Sequence, residues 1–231
     1  MNRINISKAI QLTVAIFTLW IGYTAPVKAQ QTAVEKQAAY QKVVFDRSAK
    51  IVSKLGLTDS AKALKVTKII AKQYSDLNDI YADRDTQKVI IKREAGDNKD
   101  QASAKLKELD AKVSTKVDKL HPKYLKSLAK AGLTPAQVDQ IKDGMTYDVL
   151  HVTYTAYLNE VSELTDVQKK QIMDWLLEAR EHAIDAESSN AKHAWFGKYK
   201  GRINNYLSKE GYDMKKEETE WKARGFKPKN S

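Results

Sequence analysis

The chain is 231 residues long and carries a formal charge of +11, with 42% apolar residues, 30% charged residues and no cysteine. This length suits one large domain or two small ones, and the apolar share excludes a disordered chain. The missing cysteines exclude disulfides, thiolate metal sites and cysteine nucleophiles, while nine glycines and four prolines are too few for a turn-rich all-β protein.

The first thirty residues have the order of a secretory signal peptide. Arg3 and Lys8 give a basic start, a mostly apolar stretch follows over 9–21, and small residues lead up to a predicted cleavage site after Ala29. The apolar stretch is shorter than the roughly 20 residues that span a bilayer, which favours cleavage over a membrane anchor. We therefore expect residues 1–29 to be removed and the mature protein to be periplasmic or secreted, with no stable membrane anchor.

The charge of the mature chain does not indicate a nucleic-acid partner. Removing the leader takes away three basic residues and no acidic one, which leaves a charge of +8. The remaining lysines are spread among acidic residues rather than clustered, as is typical of a solvated helix surface. An exported protein also has little contact with nucleic acid. We expect none.

Residues 30–132 have helical periodicity almost throughout. Apolar residues recur at intervals of three and four in three successive stretches, and a Gly-Asp-Asn turn signal at 96–98 separates the second from the third. Such a narrow apolar seam is typical of an antiparallel helical hairpin. The pair His121-Pro122 predicts a kink or a restart, because a residue before proline avoids the helical conformation.

Helix-start signals recur in the second half of the chain. The segments 133–137 and 164–168 each place a threonine at the N-cap and a glutamine three residues later, the pattern of a capping box. Residues 147–157 are rich in β-branched and aromatic side chains, but their spacing favours a helix. We therefore predict an all-α fold, a bundle of about six helices with an extended N-terminal helical hairpin. The predicted single domain 30–231 comprises a scaffold hairpin region (30–132), an aromatic-rich region (133–212) and a tail (213–231).

Aromatic residues are concentrated in the C-terminal half. Residues 30–140 hold five aromatic residues and residues 141–231 hold eleven. Within the predicted helix after Ser188, Gly197 and Gly201 would each cost about 1 kcal/mol relative to alanine. Their spacing leaves one helix face bare, either for close contact with another helix or for space beside a ligand.

Three segments carry a family resemblance. The run KHAWFGKYKGRINNYL, with DGMTYDVL before it and WLLEAREHAIDAESS between, resembles an exported bacterial family, domain of unknown function 3826. The resemblance covers roughly residues 40–224 and implies that the protein binds sugars. It brings no established catalytic or ligand residues.

A second resemblance supplies an alternative function. The two LTxxQ segments at 133–137 and 164–168 are similar to those of small all-helical periplasmic stress chaperones. The same segments are ordinary helix starts, and the short chaperone pattern has no counterpart to the aromatic-rich half. A chaperone-like stress protein is therefore the alternative to a sugar-binding protein.

A sugar site is expected within residues 143–212. Sugars present apolar faces and a ring of hydroxyl groups, so a site for them combines an aromatic platform with planar polar groups. We expect Trp175 to pack between helices, whereas Trp195 suits either the site or the core. The candidate ligand-binding residues for a non-catalytic carbohydrate site are His193, Trp195, Tyr199, Arg202, Asn205, Tyr147 and His151.

Catalytic and metal-binding motifs are weak or missing. Glu178 and His182 lie one helical turn apart, but without a second histidine in an HExxH pattern they predict a solvated face rather than a metal site. No GxSxG, phosphate loop or dinucleotide fingerprint occurs. We predict no catalytic residue, metal or cofactor and leave the oligomeric state open. A carbohydrate-active hydrolase is a further alternative, which would need two carboxyl groups facing each other across a cleft; the candidates are Asp143, Asp148, Glu181 and Asp185.

Overall fold

A computed structural model describes residues 25–161 and 163–225. Within these residues the chain forms eight helices and no strand. The helices are α1 (Ala25–Val52), α2 (Ser60–Ala95), α3 (Lys99–Lys130), α4 (Pro135–Met145), α5 (Val149–Glu160), α6 (Asp166–Ile184), α7 (Ser189–Lys209) and α8 (Met214–Ala223). The all-α helical bundle predicted from the sequence is thus confirmed.

The chain divides into two units between residues 39 and 40. Helix α1 begins in the first unit and ends in the second, to which α2–α8 belong. Most of the predicted leader falls in residues 1–24, outside the described residues, and its cleavage stays a prediction. In the described part of the chain, no helix combines the length and the apolarity needed to cross a bilayer.

The helix count exceeds the predicted six for two reasons. Tyr147 and Asp148 both adopt left-handed backbone conformations, with φ of 59° and 60°, and this turn separates α4 from α5. The segment 213–231, predicted to be a tail, contains α8. Asp213 begins that helix by accepting hydrogen bonds from two first-turn amides, and Trp221 is buried.

Helix α3 continues through Pro122, so of the kink or restart predicted there, the restart is wrong. An interior proline costs a helix about 3 kcal/mol, because it removes one hydrogen bond and crowds the preceding turn. The turns that follow carry Tyr124 and Leu128, both buried. Their burial contributes about 1.5–3 kcal/mol each, which is enough to keep the helix intact past the proline.

Two hydrophobic clusters share residues of α6. One is built from α1, α2, α3 and α4 together with Ile184 of α6, and the other from α5, α6 and α7. Ile172 and Leu176 in the first half of α6 belong to the second cluster, whereas Ile184 at its end belongs to the first. The C-terminal end of α6 therefore lies at the junction between the hairpin α2–α3 and the pair α6–α7.

Both predicted capping boxes are present. Thr134 and Thr165 accept hydrogen bonds from the amides of Gln137 and Gln168, and the glutamine side chains accept from the threonine amides in return. These caps fix the starts of α4 and α6, and α6 carries Glu181 and His182 of the groove described next.

Candidate functional site

An open groove of about 530 Å³ lies where the hairpin α2–α3 meets the end of α6 and the start of α7. Its wall includes two aromatic residues, two histidines and four carboxylates, but no lysine or arginine. The lining residues are Tyr81, Asp110, Val113, Ser114, Val117, Asp118, His121, Glu181, His182, Asp185, Ala186 and Trp195.

Asp185, the C-cap residue of α6, forms hydrogen bonds with both hairpin helices that line the groove, α2 and α3. Its side chain is only 8% exposed and accepts hydrogen bonds from Gln73 Nε2 of α2 (2.9 Å) and His121 Nδ1 of α3 (2.5 Å). Its backbone carbonyl accepts from the Tyr81 hydroxyl at 2.8 Å. One residue therefore joins three helices.

The last carbonyls of α6 are capped by a buried lysine. Lys192 Nζ donates to the carbonyl oxygens of Ala183 and Ile184, each at 2.9 Å. The last carbonyls of a helix lack the usual partner four residues on. The lysine supplies a donor to both, and the Ala183 carbonyl also accepts from the Ala186 amide at 3.1 Å. Burial lowers the pKa of Lys192 to about 8, although the nearby Asp185 partly opposes this shift.

His121 lies between two carboxylates in the groove wall. Its Nδ1 atom bonds to Asp185, and its other ring nitrogen, Nε2, is 3.6 Å from Glu181 Oε2. The hydrogen bond with Asp185 raises the pKa of His121, against the effect of burial. Glu181 is held in turn by Lys142, whose Nζ lies 2.9 Å from both carboxylate oxygens. Burial also raises the pKa of Tyr81 to about 12, so its hydroxyl stays protonated.

Stacked side chains continue from the groove along α6 and α7. Trp195 stacks on His182 with ring centroids 4.4 Å apart, and Tyr199 follows at 6.3 Å from the same histidine. The Arg202 guanidinium carbon lies 4.6 Å from the Trp175 ring centroid and 6.0 Å from that of Tyr199. We call this set the α6–α7 ladder, which consists of Trp175, Glu178, His182, Trp195, Tyr199, Arg202 and Tyr206.

The far end of the ladder combines an aromatic pair with an ion pair. Tyr206 meets Trp175 edge to face, with centroids 5.3 Å apart. Arg202 Nη1 lies 3.4 Å from Glu178 Oε2. Burial and a hydrogen bond with Glu178 raise the pKa of Tyr199 to about 12. Arg202 is thus oriented by a ring and a carboxylate together.

The structure places the predicted site residues on two flanks of α7. Trp195, Tyr199 and Arg202 belong to the ladder, and of the predicted residues only Trp195 lines the groove. His193 is two positions from Trp195, so it lies on the opposite flank. There it stacks on Tyr147, with centroids 5.7 Å apart.

Two further predicted residues lie away from the groove. His151 Nε2 is hydrogen-bonded to Asp143 Oδ2 at 3.1 Å. Asn205 is exposed on α7. Tyr147 and His151 are therefore not brought together with Trp195 as the sequence suggested.

Comparison with known proteins assigns the family. A family described as "Protein of unknown function (DUF3826)" matches residues 41–226. The chain belongs to this DUF3826 family. None of the curated proteins matches the sequence. The matched residues include α2–α8, and with them the groove and the ladder.

One cluster of this DUF3826 protein has the atoms for a cation site. One ligand atom each from Asp143, Asp148 and His151 lie within 4.8 Å of one another. Arg180 Nη1, however, lies 2.7 Å from Asp143 Oδ1. The guanidinium supplies positive charge to this carboxylate already, which opposes binding of a further cation.

Sequence reasoning missed the contribution of the hairpin to the DUF3826 groove. It assigned α2 and α3 to a scaffold and treated His121 only as a helix breaker, although this histidine lies in the groove wall. A usable signal was the polar stripe at Asp110, Ser114 and Asp118, spaced by four residues beside the apolar seam of α3. All three residues line the groove.

The two glycines of α7 face open space. Both are exposed, and a Cβ atom at Gly197 or Gly201 would meet nothing within 4 Å. We expect Gly197→Ala and Gly201→Ala each to raise the free energy of unfolding by about 0.5–1 kcal/mol, because alanine restricts the unfolded chain and favours the helix. Urea unfolding followed by circular dichroism measures this.

Gly144 provides the matched control for that measurement. A Cβ atom there would lie 3.0 Å from two side-chain carbons of the buried Ile51, so Gly144→Ala should destabilise the protein. A loss of stability at Gly197 and Gly201 of the same sign as at Gly144 would show that the α7 face is covered rather than open.

Proposed function

We propose that this DUF3826 protein is an exported, non-catalytic carbohydrate-binding protein whose site is the groove between α2–α3 and α6–α7. The observation that carries the proposal is the composition of the groove wall around Trp195. The indole ring lines the groove together with two histidines, four carboxylates and a tyrosine. Where the ring is not covered by His182 or by the Lys198 ammonium, whose Nζ lies 4.9 Å from its centroid, it can contact the C–H face of a sugar, while carboxylate oxygens accept hydrogen bonds from the sugar hydroxyl groups.

The charge of the groove favours neutral over acidic sugars. The chain as a whole has a charge of +11, yet no lysine or arginine lines the groove. Asp118 contributes an acidic group whose nearest hydrogen-bonding partner is the neutral Ser114 hydroxyl, at 3.4 Å. A uronate or a sulfated sugar would meet like charge there. A neutral sugar would instead find acceptors for its hydroxyl groups.

The existing pairing of the carboxylates supports binding rather than hydrolysis. Asp185 is engaged by His121 and Gln73, and Glu181 is engaged by Lys142. A glycosidase needs one carboxyl group that stays protonated to serve as the general acid. Both carboxylates are instead already bonded to side chains of the protein itself.

The distribution of exposed apolar residues gives no support to the chaperone alternative. Large exposed apolar side chains in the described part of the chain are spread over α1, α2, α5 and α6, and those that share a helix, such as Leu64 and Val89 on α2, are far from adjacent in the sequence. Binding of unfolded clients calls for a contiguous apolar patch. The groove is the better candidate site.

The proposal predicts that Trp195→Ala strongly weakens sugar binding while the helical fold is kept. Losing the indole contact area should raise the Kd by about 10- to 100-fold. Isothermal titration calorimetry with cello-, xylo- and N-acetylchito-oligosaccharides tests this. Oligogalacturonides serve as the acidic comparison and should bind more weakly.

Tyr147→Ala is the matched control for this experiment. Tyr147 is an aromatic residue that is 45% exposed and lies on the other flank of α7, so its removal should leave the Kd unchanged. If no saccharide binds, or if the Trp195 variant binds as tightly as the wild type, the carbohydrate proposal is wrong. Suppression of client aggregation without any effect of sugar would favour the chaperone alternative.

A further inference from the structure

We infer that the bound sugar is part of an oligosaccharide chain, which leaves the groove at Trp195 and lies along the α6–α7 ladder. The inference rests on the proposed function and specifies its ligand as a chain rather than a single sugar. His182 and Trp195 belong to both features, because they line the groove and form the first stacked pair of the ladder. A sugar beside Trp195 therefore has the rest of the ladder next to it.

The ladder is continuous over three turns of α7. Its members on α7 recur at helical spacing from Trp195 to Tyr206, so they share one flank of the helix. The rise between these two residues is about 16 Å. Contacts from His182 to Trp195 and from Trp175 to Tyr206 show that α6 runs antiparallel beside it. Several sugar rings in a row fit this length.

The ladder surface alternates apolar and hydrogen-bonding groups. Trp175 and Tyr206 are half-buried, which leaves part of each ring accessible. Between Trp175 and the groove, the side chains of Arg202 and Glu178 are 53% and 50% exposed. The guanidinium offers N–H donors and the carboxylate offers acceptors. A sugar chain presents the complementary sequence of C–H faces and hydroxyl edges.

Other extended ligands match this surface less well. A nucleic acid or another polyanion needs several unpaired cations. Here Arg202 is paired with Glu178, Lys198 lies singly over the Trp195 ring, and the adjoining groove contains four carboxylates. A peptide that binds by strand addition needs an open strand edge, and residues 25–161 and 163–225 contain no strand. A neutral oligosaccharide is the occupant that fits.

The test compares short and long saccharides on the full chain. Calorimetry is carried out with the disaccharide and the hexasaccharide of β-1,4-linked glucose, xylose and N-acetylglucosamine. For the type that binds, the hexasaccharide should bind about tenfold more tightly than the disaccharide, and Trp175→Ala should remove this gain while changing the disaccharide Kd by less than about twofold.

The variant Arg202→Ala tests the ladder without disturbing the hydrophobic core. Trp175 also packs against the second hydrophobic cluster, so its variant is checked by circular dichroism, whereas Arg202 is exposed. Arg202→Ala should lose part of the hexasaccharide gain and leave the disaccharide affinity unchanged. Lys209→Ala, which removes an exposed cation of α7 outside the ladder, should keep the whole gain.

The outcomes separate this inference from the proposed function. If disaccharides bind but hexasaccharides gain nothing, or if Arg202→Ala weakens both equally, the ladder does not bind the chain and the groove proposal stands. If no saccharide binds the wild type, both are overturned.

Discussion

Replacing Arg180 by methionine is expected to lower the free energy of unfolding by about 3–5 kcal/mol, because it leaves carboxylates without their partner in a half-buried cluster. The Arg180 side chain is 4% exposed. Its Nη2 atom lies 2.6 Å from Asp139 Oδ1, and its Nη1 atom lies 2.7 Å from Asp143 Oδ1. Glu181 lies 3.7 Å away. Methionine fills a similar volume, so the loss reports the charges rather than a cavity. Urea unfolding measures it.

Two further variants test the cause of this loss. Lys170→Met removes a surface ion pair with Asp174 whose side chains are 75% and 47% exposed, and should cost less than about 1 kcal/mol. Adding Asp143→Asn to Arg180→Met should recover part of the stability, because it removes the carboxylate left most deeply buried. A loss below about 1 kcal/mol for Arg180→Met would show that water already solvates this cluster.

Local features of the fold could be predicted because the interactions that cause them are local. The capping boxes at Thr134 and Thr165 join residues three apart, so the pattern and its cause lie in the same few letters. Helical periodicity likewise reports which residues face a core. It does not report which other helix those residues pack against. The all-α class could therefore be predicted from the sequence, but the pairing of the helices could not.

The groove could not be predicted for the same reason. Asp185 bonds to Gln73 across 112 positions and to His121 across 64. No local pattern links these residues. Similarly, the turn at Tyr147 and Asp148 uses left-handed conformations that favour glycine, and neither residue marks such a turn in the sequence. The residues predicted to form one ligand site therefore lie on two different flanks of α7 in the structure.

The second large effect is expected at Asp185. Asp185→Ala should cost about 3–5 kcal/mol, because it removes a buried carboxylate bonded to a histidine. The variant leaves His121 and Gln73 without their shared acceptor on the α6 side of the groove. Asp185→Asn keeps an acceptor for Gln73 but removes the charge, so it should cost less. Urea unfolding of both variants at about pH 6, below the ordinary histidine pKa, measures the difference.

The hydrogen-bonded pair of His121 and Asp185 makes the stability of the protein depend on pH, and the direction of this dependence can be derived. The pKa of His121 is raised above its ordinary value of 6.5 in the folded protein, so the folded state binds the proton more tightly than the unfolded chain does. The resulting stabilisation is complete below pH 6.5 and is lost as the pH rises through the raised value. The wild type should therefore become less stable on going from about pH 6 to about pH 7.5.

His121→Gln and Asp185→Asn should flatten this pH dependence, because the first removes the titrating group and the second removes its charged partner. The measurement stays below pH 8 because Lys192, with a pKa of about 8, contributes the opposite slope above it. There the unfolded state binds more protons than the folded state, so stability rises with pH. If Asp185→Asn kept the full slope of the wild type, Glu181 rather than Asp185 would be the carboxylate that holds the proton on His121.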